Sequence, residues 1–265
     1  MFYSTLVNRY AGPELRVATA SESHKTIARA IFFLAALTLT TPLTAQTPST
    51  PHNTLTPTEL TTGWTLLFNG TTLDHWRTYQ KPTLNPGWQA IDGELRLVDK
   101  ADDIVTRAHY SDFELSLEWK VAEGGNSGVF FRGGEGAKRV YLTAPEVQIL
   151  DDANHRDGKS PLTSAGSNFG LHPAPRGIVN PANTWNQMRL LVVGKSVRQW
   201  LNGQLIVSYE LGSDDWLARV NKSKFKRWKN YGALKSGVIA LQDHGDPVSF
   251  RNIKIRSLAL PEAEE

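Results

Sequence analysis

From Phe113 to Val121 the chain alternates without a break: Phe113, Leu115, Leu117, Trp119 and Val121 are apolar, while Glu114, Ser116, Glu118 and Lys120 are polar or charged. Successive side chains of a strand point to opposite faces, so this pattern dictates a β-strand with one buried side and one wet side. Such a strand needs partners. Asp92-Gly93 and Asn202-Gly203 each separate two strand-like runs by the two residues of a tight hairpin turn. Further strand signals fall at Trp64–Phe68, Trp88–Ile91, Glu94–Val98, Ile104–Thr106, Gly128–Arg132, Val140–Leu150, Trp185–Val193, Val197–Leu201, Leu205–Glu210, Gly237–Asp243 and Ser249–Leu258. Many short strands joined by tight turns predict an all-β protein, an antiparallel jelly-roll β-sandwich. One short helical segment is expected, capped by Ser213 or Asp214 and running through Asn221, with Trp216, Leu217 and Val220 facing inward. The basic run Lys222–Lys229 that follows reads as a solvated loop with Phe225 and Trp228 anchored in the sandwich.

The first 45 residues do not belong to that pattern. Ala30–Leu39 is an apolar run preceded by Lys25 and Arg29 and followed by Leu43-Thr44-Ala45, the layout of a secretory signal cut after Ala45. The run is too short for a comfortable membrane span, so an exported protein, periplasmic or extracellular, without a membrane span is expected. Met1–Ser23 is a lead-in that such a signal does not need, as a misassigned start codon would produce, a genuinely long signal being the alternative. Residues 46–59, rich in Thr, Pro and Ser, read as a flexible linker, and residues 60–260 as a single domain. Removing Met1–Ala45 takes away four basic and two acidic residues, so the net charge falls from +3 to +1. A nucleic-acid partner is therefore not expected. The absence of cysteine excludes disulfides, thiolate nucleophiles and thiolate metal sites.

Several chemistries lack their residues. There is no G-x-S-x-G elbow, no H-E-x-x-H helix and no phosphate-cradling glycine loop before a lysine. A retaining sandwich glucanase needs paired carboxylates in a spacing like E-x-D-x-x-E, but Glu146-Val147-Gln148 puts an amide at the central position. Two other strand patterns carry a polar face. In Asn126–Arg132, Val129 and Phe131 point one way, and Asn126 and Arg132 the other; in Glu146–Leu150, Val147 and Ile149 alternate with Glu146 and Gln148. A cationic fork, a carboxylate and amides on one surface suit recognition of a hydroxylated ligand. Gln242 and His244 share a face near the end of another strand, and His244 is a candidate general acid or base because an imidazole titrates near neutrality. The loop from Asp151 to Gly158 is rich in oxygen ligands but misses the spacing of a calcium loop. No cofactor is required by the sequence, although a divalent metal near Glu146 and His244 is compatible with it.

The segments GWTLLFNGTTLDHW, NSGVFFRG, EVQILDDANHRDGK, NTWNQMRLLVVGKSVRQWLNGQLIVSYELGS and LQDHGDPVSFRNIKIR, in this order, resemble the 3-keto-disaccharide hydrolase domain family. The resemblance covers Leu60–Leu258. It implies a concanavalin A-like sandwich, a carbohydrate substrate and cleavage of glycosides first oxidised at C3. Where members typically read Ala-Leu-Tyr-Gly, this chain has Ser167-Asn168-Phe169-Gly170 and so lacks a tyrosine hydroxyl. The implied chemistry needs no carboxylate pair. A C3 ketone acidifies the C2 proton, a base removes it, the C1 substituent departs, and water adds back. On this resemblance Glu146 and His244 serve as base and acid in either order, and Arg132 or a metal stabilises the enolate. Asn126, Gln148 and Gln242 grip sugar hydroxyls, with Asp151 and Lys159 as further substrate contacts. A non-catalytic carbohydrate-binding module and a glycosidase acting on unoxidised glycans are the competing expectations.

Overall fold

In the computed structural model, which describes residues 51–258, two antiparallel sheets face each other. The expected leader (residues 1–45) lies outside the described residues. In chain order the strands are β1 (Thr65–Leu66), β2 (Trp76–Thr78), β3 (Trp88–Ile91), β4 (Glu94–Leu97), β5 (Ile104–Thr106), β6 (Phe113–Val121) and β7 (Asn126–Gly133). Then come β8 (Glu146–Leu150), β9 (Asn186–Val193), β10 (Ser196–Leu201), β11 (Gln204–Glu210), β12 (Val238–Leu241) and β13 (Val248–Ser257). The larger sheet runs β11-β10-β9-β6-β13-β4-β3, with β1 also on β13; the smaller runs β2-β5-β12-β7-β8. This is the all-β, antiparallel sandwich that the sequence predicts. No helix among the described residues is long and apolar enough to cross a membrane.

The strict alternation of β6 sets the layers. Leu115, Leu117 and Trp119 are buried against Val129 and Phe131 of β7, Val147 and Ile149 of β8, and Ile239 and Leu241 of β12. Burying each such side chain contributes about 1.5–3 kcal/mol. On the opposite face of the large sheet, Glu114 pairs with Arg189 and Arg256, and Glu118 with Arg251. These cross-strand charges use the polar half of the same alternation.

Four local expectations are corrected. Val140–Leu150 is not one strand. Val140–Leu142 forms a 3-10 turn and the strand starts only at Glu146, because Pro145 has no N–H to give a ladder. Leu217 is 50% exposed rather than inward, whereas Trp216 of helix α2 (Asp214–Lys222, capped by Ser213) is buried. β2 is a strand that the sequence pattern did not reveal. Finally, part of the segment expected as a linker is folded onto the domain. Asn53 and Asn252 exchange backbone-to-side-chain hydrogen bonds at 2.6 and 2.8 Å, and helix α1 (Pro57–Thr61) has a complete capping box from Thr56 and Glu59.

β8 would be a sheet edge, but Gly166–Phe169 runs along it. Gly166 donates to Gln148 O at 2.8 Å, Gln148 to Ser167 O at 3.1 Å, and Phe169 to Glu146 O at 3.0 Å. This segment and the chain from α2 to Tyr231 form walls over the outward face of the smaller sheet, where the candidate site lies.

Candidate active site

Glu146 and Gln148 of β8 sit opposite Phe130 and Gly128 of β7, so all four project from one face of the sheet. Asn126 follows on that face, and Gln242 is joined through its N–H to Gly128 O at 3.0 Å. Asn126, Phe130, Glu146, Gln148, Gln242 and His244 line a pocket of about 320 Å³. The structure thus gathers Asn126, Glu146, Gln148, Gln242 and His244, five of the residues expected from sequence.

Glu146 is the chemical centre of the pocket. Its carboxyl makes no hydrogen bond or ion pair among the described residues, and a Cβ on Gly128 would collide with its Oε1. The residue keeps some surface open to the pocket, but its carboxyl is ringed by protein. Burial pushes its pKa up to about 8, with Lys224 pulling it down and Asp103 adding to the rise. Beside it, the phenol of Tyr231 is pushed well above its usual value by burial, then by the Glu146 charge, so it stays a neutral hydroxyl.

The amides face the pocket with spare bonding capacity. Gln148 Nε2 donates to Thr163 O at 3.3 Å, but the Oε1 atoms of Gln148 and Gln242 are buried without a partner. An unmet buried acceptor costs about 1–3 kcal/mol, which a ligand hydroxyl would recover. His244 is exposed, with Nδ1 3.7 Å from Asp246 Oδ2, and the same oxygen accepts from Asn126 N at 3.1 Å. His244 also lines a second hollow of about 440 Å³, which shares Tyr141 and Gln242 with the first and has Asp103 and Arg139 in its walls. Burial pushes the Asp103 carboxyl up to about 6, the Asp243 charge adding to that rise against the hydrogen bond Asp103 accepts from the Asp243 N–H.

Three expected residues lie elsewhere. Arg132 is not in the pocket. β7 carries one extra residue relative to β12 between Phe130 and Gly133, and Arg132 adopts φ 50° within that bulge. The bulge sends the side chain to the opposite end of the strand, where Nε donates to Ser111 O (2.9 Å), one terminal nitrogen to Gly194 O (2.8 Å) and the other to Asp112 Oδ1 (3.0 Å). Asp151 is buried and committed to the fold, accepting from Gly124 N (2.8 Å) and Asn154 Nδ2 (2.7 Å). Lys159 is exposed, and its turn, Arg156–Lys159, gives the pocket Asp157 instead. Among the described residues, no three His, Asp or Glu side chains gather as a metal site would require.

The pocket also holds residues that the sequence did not single out as functional. Phe169, Lys224 and Tyr231 are three of them, and Tyr141 and Trp228 meet at its rim with ring centroids 5.4 Å apart. The basic run does anchor Phe225 and Trp228 as expected, but it also turns Lys224 into the site. Trp228 is thereby a pocket wall, whereas Trp88 is core.

Comparison with known proteins agrees with this architecture. A curated Bacteroides thetaiotaomicron protein named 3-keto-disaccharide hydrolase is 30% identical over 228 residues, covering 74% of this chain and 79% of its own length. Two solved Parabacteroides distasonis proteins, each described provisionally as a glycosyl hydrolase, are also similar. One is 33% identical with TM-score 0.75, covering 79% of this chain and 100% of its own. The other is 31% identical with TM-score 0.59, covering 74% and 99%. Residues 63–256 match the model of the 3-keto-alpha-glucoside-1,2-lyase-like domain, and this chain belongs to that family.

Proposed function

We propose that this protein cleaves glycosides whose sugar ring carries a ketone at C3, by removing the C2 proton and expelling the C1 substituent. The carrying observation is Glu146, an unpaired carboxyl in a pocket lined by amides and raised to a pKa of about 8. A carboxylate with a raised pKa is a stronger base than an ordinary one once ionised. The name of the Bacteroides relative supports the same substrate class.

In this reading the oxidised ring sits in the pocket with Glu146, and its hydroxyls meet Asn126, Gln148 and Gln242. The departing group occupies the adjoining hollow. His244 stands where the two hollows meet, so it is placed to protonate the leaving oxygen, while Glu146 lies deeper and takes the C2 proton. Loss of both leaves an enone and a free alcohol, and water adding at C1 completes a net hydrolysis. The expected leader supports export, with the reaction taking place outside the cytoplasm.

The test is incubation with a 3-keto-disaccharide and, separately, with its unoxidised parent. Release of the enone or its hydrate from the oxidised sugar alone supports the reading. Cleavage of both would make the protein an ordinary glycosidase, and binding without product would make it a carbohydrate-binding module.

A further inference from the structure

We propose that Lys224 is a catalytic residue, the cation that takes the enolate charge, held un-neutralised beside Glu146 by a cage of aromatic rings. This rests on the function proposed above and fills the place that Arg132 leaves empty.

Lys224 Nζ lies 4.5 Å from the ring centre of Phe169, 5.4 Å from that of Phe225 and 5.7 Å from that of Trp228. Among the described residues it makes no salt bridge. Ring faces attract an ammonium within about 6 Å but, unlike a carboxylate, carry no charge to cancel it. The full positive charge therefore remains available to an oxyanion that forms in the pocket. Of the basic residues in Lys222–Lys229, Lys224 alone lines the pocket, on whose walls Tyr141, Glu146, Asp157, Tyr231 and His244 are the other titratable groups.

The turn presenting this lysine is fixed at several points. Ser223 Oγ accepts from Phe225 N at 3.1 Å. Phe225 stacks on Tyr231 with centroids 4.4 Å apart and planes at 4°, and Tyr231 stacks in turn on Trp216. Lys224 itself is exposed at the mouth, so it can move with an entering substrate while its ammonium stays over the rings.

The proposed step balances without a co-reactant. The Glu146 carboxylate takes the C2 proton. The C2–H pair forms the C2–C3 double bond, and the carbonyl π pair moves onto oxygen, where Lys224 Nζ–H donates to it. The pair then returns, C1–C2 becomes double, the C1–O bond breaks, and the leaving oxygen takes a proton from His244. Lys224 keeps its own protons throughout.

The experiment compares wild type, Lys224→Met and Lys224→Arg on a 3-keto-disaccharide. Lys224→Met should lower kcat on the order of 10²–10³-fold, as loss of one oxyanion donor does, with KM changed far less. Lys224→Arg, which keeps the charge, should recover most of that loss. The acid limb of the pH profile should also move upward in Lys224→Met, because Glu146 then ionises without its nearby cation. Unchanged kcat in Lys224→Met, or a lowered kcat with an unmoved acid limb, overturns the assignment. Borohydride treatment during turnover should leave the protein mass unchanged; a trapped adduct on Lys224 would mean a covalent imine and would also overturn it. Should Lys224→Met fail to fold, Lys224→Gln carries the same readouts. An inactive wild type would defeat the function proposed above instead.

Discussion

Gly128 lies under the Glu146 carboxyl, and the missing side chain of the one is the space that the other occupies. The two residues sit on neighbouring strands, β7 and β8. A methyl group at 128 would meet Oε1, Cγ and Cδ of Glu146 together, so the carboxyl must swing aside. Displacement of a reacting group by about 1 Å costs on the order of 10²-fold in rate. Gly128→Ala should therefore lower kcat/KM on a 3-keto-disaccharide by about that factor. Because the colliding atoms belong to a side chain and not to the backbone, its circular dichroism should stay native.

The raised Glu146 carboxyl has two consequences with separable readouts. As the base it must be ionised, so kcat/KM should climb as pH rises through about 8. Glu146→Gln should lose about 10²–10⁴-fold in kcat, the range for a general base. Stability runs the other way. The folded pKa lies above the ordinary value of 4.5, so the native state holds a proton that the unfolded state sheds. The Glu146 contribution is therefore lost from about pH 4.5 through about 8 in wild type, and Glu146→Gln is spared that part of the loss. The Tm advantage of Glu146→Gln should be small at pH 4.5 and largest above pH 8; an advantage independent of pH would contradict the buried-carboxyl account.

Arg132 should matter for folding and not for turnover. Its buried guanidinium satisfies two carbonyls and Asp112 at a distance from the pocket. Arg132→Ala should cost about 3–5 kcal/mol in urea unfolding, as breaking a buried charged network does. Below its own Tm, its kcat/KM should stay within about threefold of wild type, since surface and scaffold changes away from the chemistry leave the barrier alone.

Asn53 offers a test of where the folded domain begins. It exchanges two hydrogen bonds with Asn252 and donates a third, through Nδ2, to Gly93 O at 2.8 Å. Asn53→Ala removes the two made by the side chain, each worth about 0.5–1.5 kcal/mol. A loss of about 1–3 kcal/mol in denaturant unfolding is expected, where a true tether residue would give none.

What could be read from the sequence follows a physical division. β6 and β8 were legible because apolar and polar residues alternate along them, and β12 because Val238–Leu241 is an unbroken apolar run, buried on both of its faces. That alternation also placed Glu146, Gln148 and Asn126 together, since register carries the face from strand to strand. Arg132 obeys the same rule on paper, but the bulge beside it breaks the period, and a φ of 50° at an arginine leaves no mark in the sequence. Lys224 was hidden for a different reason. Among five basic residues in a short run, only the tertiary fold determines which one reaches the pocket. Asn53 was masked by the Thr- and Pro-rich residues around it, whose composition suggested a tether.

The strip Gly166–Phe169 laid along β8 has a consequence for company as well as for catalysis. A bare strand rim invites another chain to zip onto it, and here that rim would be the one bearing the reactive carboxyl. With its hydrogen-bonding positions already taken up from within, β8 cannot be extended by a neighbouring molecule, so crowding should not shut the pocket by that route.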